Sequence, residues 1–141
     1  MDKVEEIILT SSGKNTEQAF MNIALNLSLK IINPDLIQPK LKKTIFIREK
    51  NIKSLLYKYL KSIYSLATTN LILLNKISTI KIENINTDYL LTAVLEGDKL
   101  SNEYKIKNTI KQITDRNISV KEDKEGCHIT INIVVEKDEK V

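Results

Sequence analysis

The stretch NIKSLLYKYLKSIYSLATTN, residues 51–70, decides the fold of this chain. Its apolar residues recur every three or four positions, which is the spacing of one face of an α-helix. These residues are Ile52, Leu55, Leu56, Tyr59, Leu60, Ile63 and Leu66. Between them fall the polar residues Lys53, Lys58, Lys61 and Ser62, which can form a solvent-facing side. The stretch therefore predicts one amphipathic helix that packs on the core.

A second helix is predicted upstream, beginning at Asn15. The Asn15 side chain can cap the first free amides, and Gln18 completes an approximate capping box three residues later. The expected buried stripe is Phe20, Ile23, Ala24, Leu27 and Ile31. Asn33-Pro34 should end this helix, because the residue before a proline avoids the helical region.

Most of the remaining chain has the composition of β-strands. Strands are predicted at residues 4–10, 41–47, 79–83, 89–96, 104–113, 118–121 and 128–136. Turns or breaks are predicted at residues 11–13, 86–88, 97–99 and 123–126. A change of register at Ile113 indicates a bulge or bend, and residues 71–74 fit either a buried strand or the tail of the helix.

This order of elements predicts an α+β fold, with two helices packed on a mostly antiparallel β-sheet or sandwich. The length of 141 residues suits a single domain spanning residues 1–141. Hydrophobic residues make up 42% of the chain, which is typical of a globular protein.

Charge and cysteine content narrow the classes of function. The net charge of +4 is spread along the chain, so it permits contact with nucleic acid or an acidic partner without requiring it. A lone cysteine, Cys127, excludes an intrachain disulfide. No apolar run is long enough for a membrane span, and the acidic start MDKVEE does not resemble a signal peptide. We therefore expect a cytoplasmic protein.

Few residues suit catalysis. His128 is the single histidine, and Cys127 beside it has no base at a recognisable spacing. The three glycines form no phosphate-binding loop. Glu6 and Glu136 would meet if the first and last strands are neighbours, and a pair of carboxylates suits a hard divalent cation.

Several short motifs, taken in order, resemble the archease family. GKNTEQAF at residues 13–20 is similar to the G-x-T-L-E-E-A-F that opens the family's first helix. SLLYKYL at residues 54–60 resembles S-L-L-Y-x-W-L. KQIT at residues 111–114 resembles K-A-V-T, and ISV at residues 118–120 lies where the family has L-x-V. The resemblance covers most of the chain.

The resemblance implies an accessory role and no enzymatic activity. Archeases assist the RtcB-type RNA ligase, which seals tRNA halves after intron removal, by promoting its guanylylation and its multiple turnover. The implied partner is therefore this ligase, with tRNA reached only indirectly and with no contact to DNA or membranes.

The resemblance also implies a site for a divalent, calcium-like cation. In the family it uses an aspartate of the N-terminal H-T-A-D-I-G motif, a C-terminal aspartate and the main-chain carbonyl that follows. These positions fall on Glu6, Glu136 and Lys137. Glutamate keeps the charge and the oxygen ligands at a reach one methylene longer. Lys111 is expected nearby as a counter-charge and a candidate partner contact.

The sequence departs from the family pattern at three places. Lys3-Val4-Glu5 replaces H-T-A, NTIK at residues 108–111 lacks the glutamate of T-E-V-K, and DRN at residues 115–117 lacks the histidine of Y-H-G. These departures leave open a diverged protein that scaffolds an RNA-processing complex without activating the ligase. A small RNA-binding module is another alternative, although aromatic residues are only 5% and no strand carries a base-stacking motif.

Overall fold

A computed structural model describes residues 3–137, which form two antiparallel sheets and two α-helices. The helices are α1 (Thr16–Leu29) and α2 (Ile52–Thr68), with a 3-10 turn at Pro34–Leu36. The strands are β1 (Lys3–Gly13), β2 (Leu41–Glu49), β3 (Ile72–Ile85), β4 (Asp88–Lys99), β5 (Asn108–Ile113), β6 (Ser119–Asp123) and β7 (Gly126–Lys137). The predicted α+β class is confirmed.

The first sheet is built around β7. Along one side of β7, β1 runs antiparallel from Lys3 opposite Lys137 to Gly13 opposite Cys127. Along the other side, β5 pairs with the second half of β7 and β6 pairs with its first half. The second sheet has the order β2-β4-β3. The first and last strands of the described chain, β1 and β7, are therefore neighbours, which is the condition for Glu6 and Glu136 to meet.

The core lies where the helices contact both sheets. α1 packs on β1, β7 and β3, and α2 packs on β2, β3, β4, β5 and β6. The fully or nearly fully buried residues of α2 are Leu55, Leu56, Tyr59, Leu60 and Ile63. Asn51 caps this helix, because its Oδ1 accepts from the Ser54 N–H at 2.9 Å. The predicted core helix is confirmed.

The N-terminal cap of α1 is also confirmed, with one change. Asn15 Oδ1 accepts from the Gln18 N–H at 2.9 Å, whereas Gln18 Oε1 accepts from the Lys14 N–H at 2.6 Å. The helix ends at Leu29, earlier than predicted. The N–H groups of Ile31 and Ile32 both donate to the Ser28 carbonyl, which tightens the last turn.

Two segments predicted as turns or breaks belong to strands. Residues 11–13 continue β1, because they pair with β7. The Ser11 hydroxyl also ties this part of the strand to α1, since it donates to the Ala19 carbonyl at 3.0 Å. Residues 97–99 continue β4. A Cβ at Gly97 would overlap the Leu73 carbonyl, so glycine here permits the close approach of β3 and does not end the strand.

Two other boundaries differ from the prediction. The strand predicted from residue 104 begins at Asn108, while Tyr104 lies buried in the preceding loop and donates its hydroxyl to Asp98 Oδ2 at 2.8 Å. The bulge expected near Ile113 falls between Ile110 and Gln112. Residues 72–74 are strand, since they open β3. The hairpin joining residues 79–83 to 89–96 is confirmed.

Neither helix among residues 3–137 has the length and apolar character needed to span a bilayer.

Leu56→Ala should lower the free energy of unfolding by about 2–5 kcal/mol, because Leu56 is fully buried and its truncation leaves a cavity. Chemical denaturation measures this loss. Lys53→Ala, on the exposed side of the same helix, is the control and should change stability by no more than about 0.5 kcal/mol. Equal effects of the two substitutions would contradict the assignment of the buried face.

Tyr59 should make stability depend on alkaline pH. It is fully buried, its ring stacks on Phe20 with centroids 5.4 Å apart, and its hydroxyl donates to the Phe20 carbonyl at 3.0 Å. Burial raises the pKa of Tyr59 well above 10.0. Because the fold favours the neutral phenol, its contribution is complete below the unfolded-state pKa and is lost as pH rises through the folded-state pKa.

Tyr59→Phe should therefore cost about 1 kcal/mol at neutral pH, through loss of the hydrogen bond. The variant should also lose less stability than the parent chain as pH rises above about 10. Urea denaturation at a series of pH values measures both effects. Parallel pH profiles for the two proteins would contradict this role of the hydroxyl.

Candidate functional site

The candidate site lies on the outer face of the first sheet, the side turned away from the helices. Along β7, Ile131, Ile133 and Val135 are buried in the core. Because side chains alternate along a strand, Asn132 and Glu136 project from the outer face. On β1 the same alternation leaves Glu6 exposed between partly buried neighbours. Three polar side chains of two paired strands thus share one surface.

The strand register brings Glu6 and Glu136 to the same region. Glu6 lies opposite Val134, and Glu136 lies opposite Val4. Both glutamates are near the end of the sheet where β1 begins and β7 ends. The first and last strands therefore pair as the prediction requires, and the shared site of the two carboxylates stays a prediction.

Each carboxylate has a partner. Glu6 Oε2 accepts from Asn132 Nδ2 at 2.7 Å, and Asn132 is 9% exposed. Lys111 Nζ lies 2.7 Å from Glu136 Oε2, with the lysine side chain half exposed. The carboxylates are thus held in place, one by an amide and the other by an ammonium group.

The position of Lys111 follows from an irregularity in β5. The register of β5 on β7 shifts between Ile110 and Gln112, so Lys111 is the extra residue of a bulge. A bulge re-aims the side chain of the inserted residue. Here the Lys111 side chain reaches the outer-face carboxylate of β7. The expected counter-charge therefore lies beside Glu136.

The oxygen donors at this end of the sheet suit a hard cation in type. They are the carboxylates of Glu6 and Glu136, together with the main-chain carbonyl of Lys137 in the last pair of the strand. Calcium takes about six to eight oxygen ligands, including carboxylates and carbonyls. Residues 3–137 contain no cluster of three or more histidine, cysteine, aspartate or glutamate side chains arranged to hold a metal. A cation here would complete its shell with water and would compete with Lys111 for Glu136.

Sequence reasoning missed the apolar part of this surface. Val4 and Ile8 are 57% and 65% exposed, whereas the prediction of this strand assigns no face to its apolar residues. The available signal is their spacing, because they alternate in step with Glu6 and not with Leu9. The outer face thus places exposed apolar side chains beside acidic groups.

The two remaining candidates lie at the other end of β7. Cys127 is buried opposite Gly13, and burial raises the pKa of its thiol by more than the hydrogen bond with Thr16 lowers it. The thiol is therefore protonated at neutral pH and is a poor nucleophile. His128 Nε2 lies 3.5 Å from Asp123 Oδ2, with both side chains about half exposed. Neither residue joins the site formed by Glu6 and Glu136.

Comparisons with known proteins identify the family. The model of the Archease protein family matches residues 5–135, which include Glu6 and end one residue before Glu136. The solution structure of Methanobacterium thermoautotrophicum protein 1598 is similar, with a TM-score of 0.74, 18% sequence identity, and coverage of 96% of this chain and 97% of the other. At this identity the likeness establishes the fold. No curated protein matches. Because the family match spans nearly the whole sequence, this chain belongs to the archease family.

Proposed function

We propose that this protein is a non-catalytic accessory factor of an RtcB-type RNA ligase in tRNA splicing or RNA repair. In this role it promotes guanylylation of the ligase and its multiple turnover. The observation that carries the proposal is the presence of Glu6 and Glu136 on one outer face of a chain of the archease family. The resemblance assigns the family's two aspartates to these positions. The ligase is the direct partner, tRNA is reached through it, and DNA and membranes are not involved.

The outer face has the composition of a protein contact surface. Val4 and Ile8 supply exposed apolar area, and Glu6 on the same strand supplies negative charge. In protein interfaces apolar burial contributes most of the affinity, while charge sets orientation and the rate of encounter. A basic, nucleotide-binding or metal-binding mouth on the ligase is the complementary surface.

Activation requires a preference between ligase states. A factor that binds two states of the ligase equally well does not change their populations. The outer face must therefore bind the ligase state that is ready for guanylylation more tightly than the other state. A tenfold shift corresponds to about 1.4 kcal/mol. One hydrogen bond to a charged group contributes about 1.5–3 kcal/mol. Two carboxylates are therefore sufficient for a tenfold to hundredfold preference.

Lys111 can either pair with Glu136 or be displaced from it, so the outer face has two arrangements. In the free protein its ammonium group neutralises Glu136 at 2.7 Å. The pair is partly exposed, so its net stability is small, of the order of 0–1 kcal/mol. A basic group of the ligase or a divalent cation can therefore replace Lys111 at little cost. Lys111 is then free to contact the partner.

The cation belongs to the same proposal. Glu6, Glu136 and the main-chain carbonyl of Lys137 would hold a calcium-like ion, which would offset the negative charge of the two carboxylates. Asn132 would then orient the Glu6 carboxylate, and Lys111 would limit the affinity for the ion by competing for Glu136.

We assign the protein to the cytoplasm. Its lone cysteine is buried and reduced, which suits a reducing compartment. The RNA-processing role requires the same compartment as the ligase.

The double variant Glu6→Ala/Glu136→Ala should abolish stimulation of ligase guanylylation while leaving the midpoint of thermal unfolding nearly unchanged. The expected loss of stimulation is at least tenfold, because both oriented carboxylates are removed. The measurement is transfer of labelled guanylate to the RtcB-type ligase of the same organism, without RNA.

The matched control is Glu103→Ala/Glu125→Ala, which removes the same charge from two exposed positions outside the site. Full stimulation by the folded Glu6→Ala/Glu136→Ala variant would refute the site assignment. If the parent chain binds the ligase but does not stimulate its guanylylation, activation is refuted and a scaffolding role is supported.

Lys111→Met should strengthen calcium binding, because it removes the ammonium group that competes for Glu136 and keeps most of the unbranched apolar stem of the side chain. We expect about a tenfold lower dissociation constant by isothermal titration calorimetry. Addition of Glu6→Ala should cancel the gain. A dissociation constant unaffected by either substitution would exclude this cation site.

A further inference from the structure

The positive charge of this chain is concentrated in one segment. Eight of the 22 basic residues lie between Lys40 and Lys61, and only one of the 18 acidic residues, Glu49, lies with them. This segment therefore carries a net charge of +7, and the rest of the chain carries −3. The expectation of a charge spread along the chain is thus wrong. The segment comprises β2 and the first half of α2, which form one continuous surface.

A groove of about 780 Å³ runs along this surface. One wall is the edge strand β2, which has β4 as its only strand partner among the described residues. The other wall is α2. Lys43, Arg48 and one acidic residue, Glu49, line the first wall. Lys58 and Lys61 line the second. The hydroxyl groups of Thr44 and Ser65 add donors between the charges. The Ser62 hydroxyl instead donates to the Lys58 carbonyl at 2.9 Å. We call this feature the β2–α2 groove.

Protection of a sheet edge explains only part of this charge. Lysines on an edge strand discourage unwanted strand pairing, which accounts for Lys42 and Lys43. Arg48 is neutralised by Asp88, with Nε 2.6 Å from Oδ2. Neither reason applies to Lys58 and Lys61, which lie on the helix and form no ion pair with a described residue. Their charge faces the groove without a carboxylate partner in residues 3–137.

Aromatic side chains lie among these charges. Phe46 lines the groove and is 65% exposed, an unusual position for a large apolar side chain. Tyr57 lies on the opposite wall, with Lys61 Nζ 5.5 Å from its ring centroid. Flat rings beside lysines are the arrangement that binds single-stranded nucleic acid, because bases stack on the rings while the lysines follow the phosphates.

We propose that the β2–α2 groove binds a single-stranded segment of RNA. The charge and the exposed ring favour a nucleic acid strand, and the choice of RNA rests on the proposed function, since the ligase acts on RNA ends. This direct contact would add to the contact with tRNA that the ligase mediates, and it uses a single ring, Phe46, in place of a base-stacking motif. The groove would hold the strand by its phosphates and by stacking of one or two bases, without reading its sequence.

Other occupants fit the groove less well. A second copy of this chain paired through β2 would bring the lysines of two edge strands together, which is repulsive. An acidic peptide added to the edge of β2 would need pockets for alternate side chains. Phe46 instead presents an exposed ring, which is a platform and not a pocket.

The test is fluorescence anisotropy of a labelled oligouridine of about twelve nucleotides, titrated with the full chain at several salt concentrations. The affinity should fall as salt rises, with a log–log slope of about −2 to −3 for three or four phosphate contacts at about −0.7 each. Lys58→Glu/Lys61→Glu should weaken binding at least tenfold. Lys105→Glu/Lys121→Glu reverses two exposed charges outside the groove and should change it less than threefold.

Stacking is tested at Phe46, which is exposed enough for substitution without unfolding. Phe46→Leu should weaken binding about fivefold or more, because it removes the ring, whereas Phe46→Tyr should bind as the parent chain does. Equal binding by the groove variants and the Lys105→Glu/Lys121→Glu control would overturn the proposal. Binding of polyglutamate in preference to oligouridine would also overturn it, in favour of an acidic peptide.

Failure of the RNA-binding proposal can be distinguished from failure of the proposed ligase activation. Oligouridine binding needs no ligase, and guanylylation of the ligase needs no RNA. Lys58→Glu/Lys61→Glu should therefore lose RNA binding and still stimulate guanylylation, while Glu6→Ala/Glu136→Ala should do the reverse. Loss of both activities in both variants would overturn the assignment of two separate surfaces.

Discussion

The antiparallel pairing of β1 with β7 is the constraint on which the structure depends. It joins residues at the two ends of the described chain along an unbroken register from Lys3 to Gly13. Because side chains alternate, this register decides which residues enter the core and which reach the surface. A slip of one residue would turn Leu9 outward and Glu6 inward. The buried face fixes the register, and the register fixes the outer-face site.

The long helix, the Asn15 cap of the first helix and the fold class could be predicted from the sequence because they depend on local chemistry. Apolar spacing identifies the buried face of α2, and Asn51 and Asn15 cap the two helices through side chains a few atoms away. Such contacts need no knowledge of the rest of the fold. The helices were therefore found more accurately than the strand ends.

The strand ends were misjudged where glycine serves packing. Gly97 and Gly13 were both interpreted as turn residues, yet each lies within a strand and admits a neighbouring backbone. At Gly97 the neighbour is Leu73, and at Gly13 it is the first turn of α1 around Gln18 and Ala19. A close approach between distant segments leaves no mark in a single sequence. The same limit applies to Lys111, whose approach to Glu136 depends on a bulge.

Glu6 and Glu136 could be predicted as residues but not as a site. The family resemblance supplied their positions, and the structure supplies the amide of Asn132 and the exposed Val4 and Ile8 around them. The β2–α2 groove is the opposite case. Its lysines are evident in the sequence, yet the groove that they line forms only because β2 lies beside α2 in the fold. The basic excess of residues 40–61 thus lies on a different surface from the Glu6 and Glu136 site, although the net charge of the chain is small.

The position of β7 along the chain has a consequence for synthesis on the ribosome. β7 is the shared partner of β1, β5 and β6, and it is made after all of them. The second sheet and both helices can associate while the chain is still growing, since β2, β3 and β4 are complete by Lys99. β1 remains unpaired until β7 has been synthesised, and its alternating apolar residues stay exposed during that time. The interval between the first and the last strand is therefore when the nascent protein is most open to aggregation, and when a chaperone would contribute most.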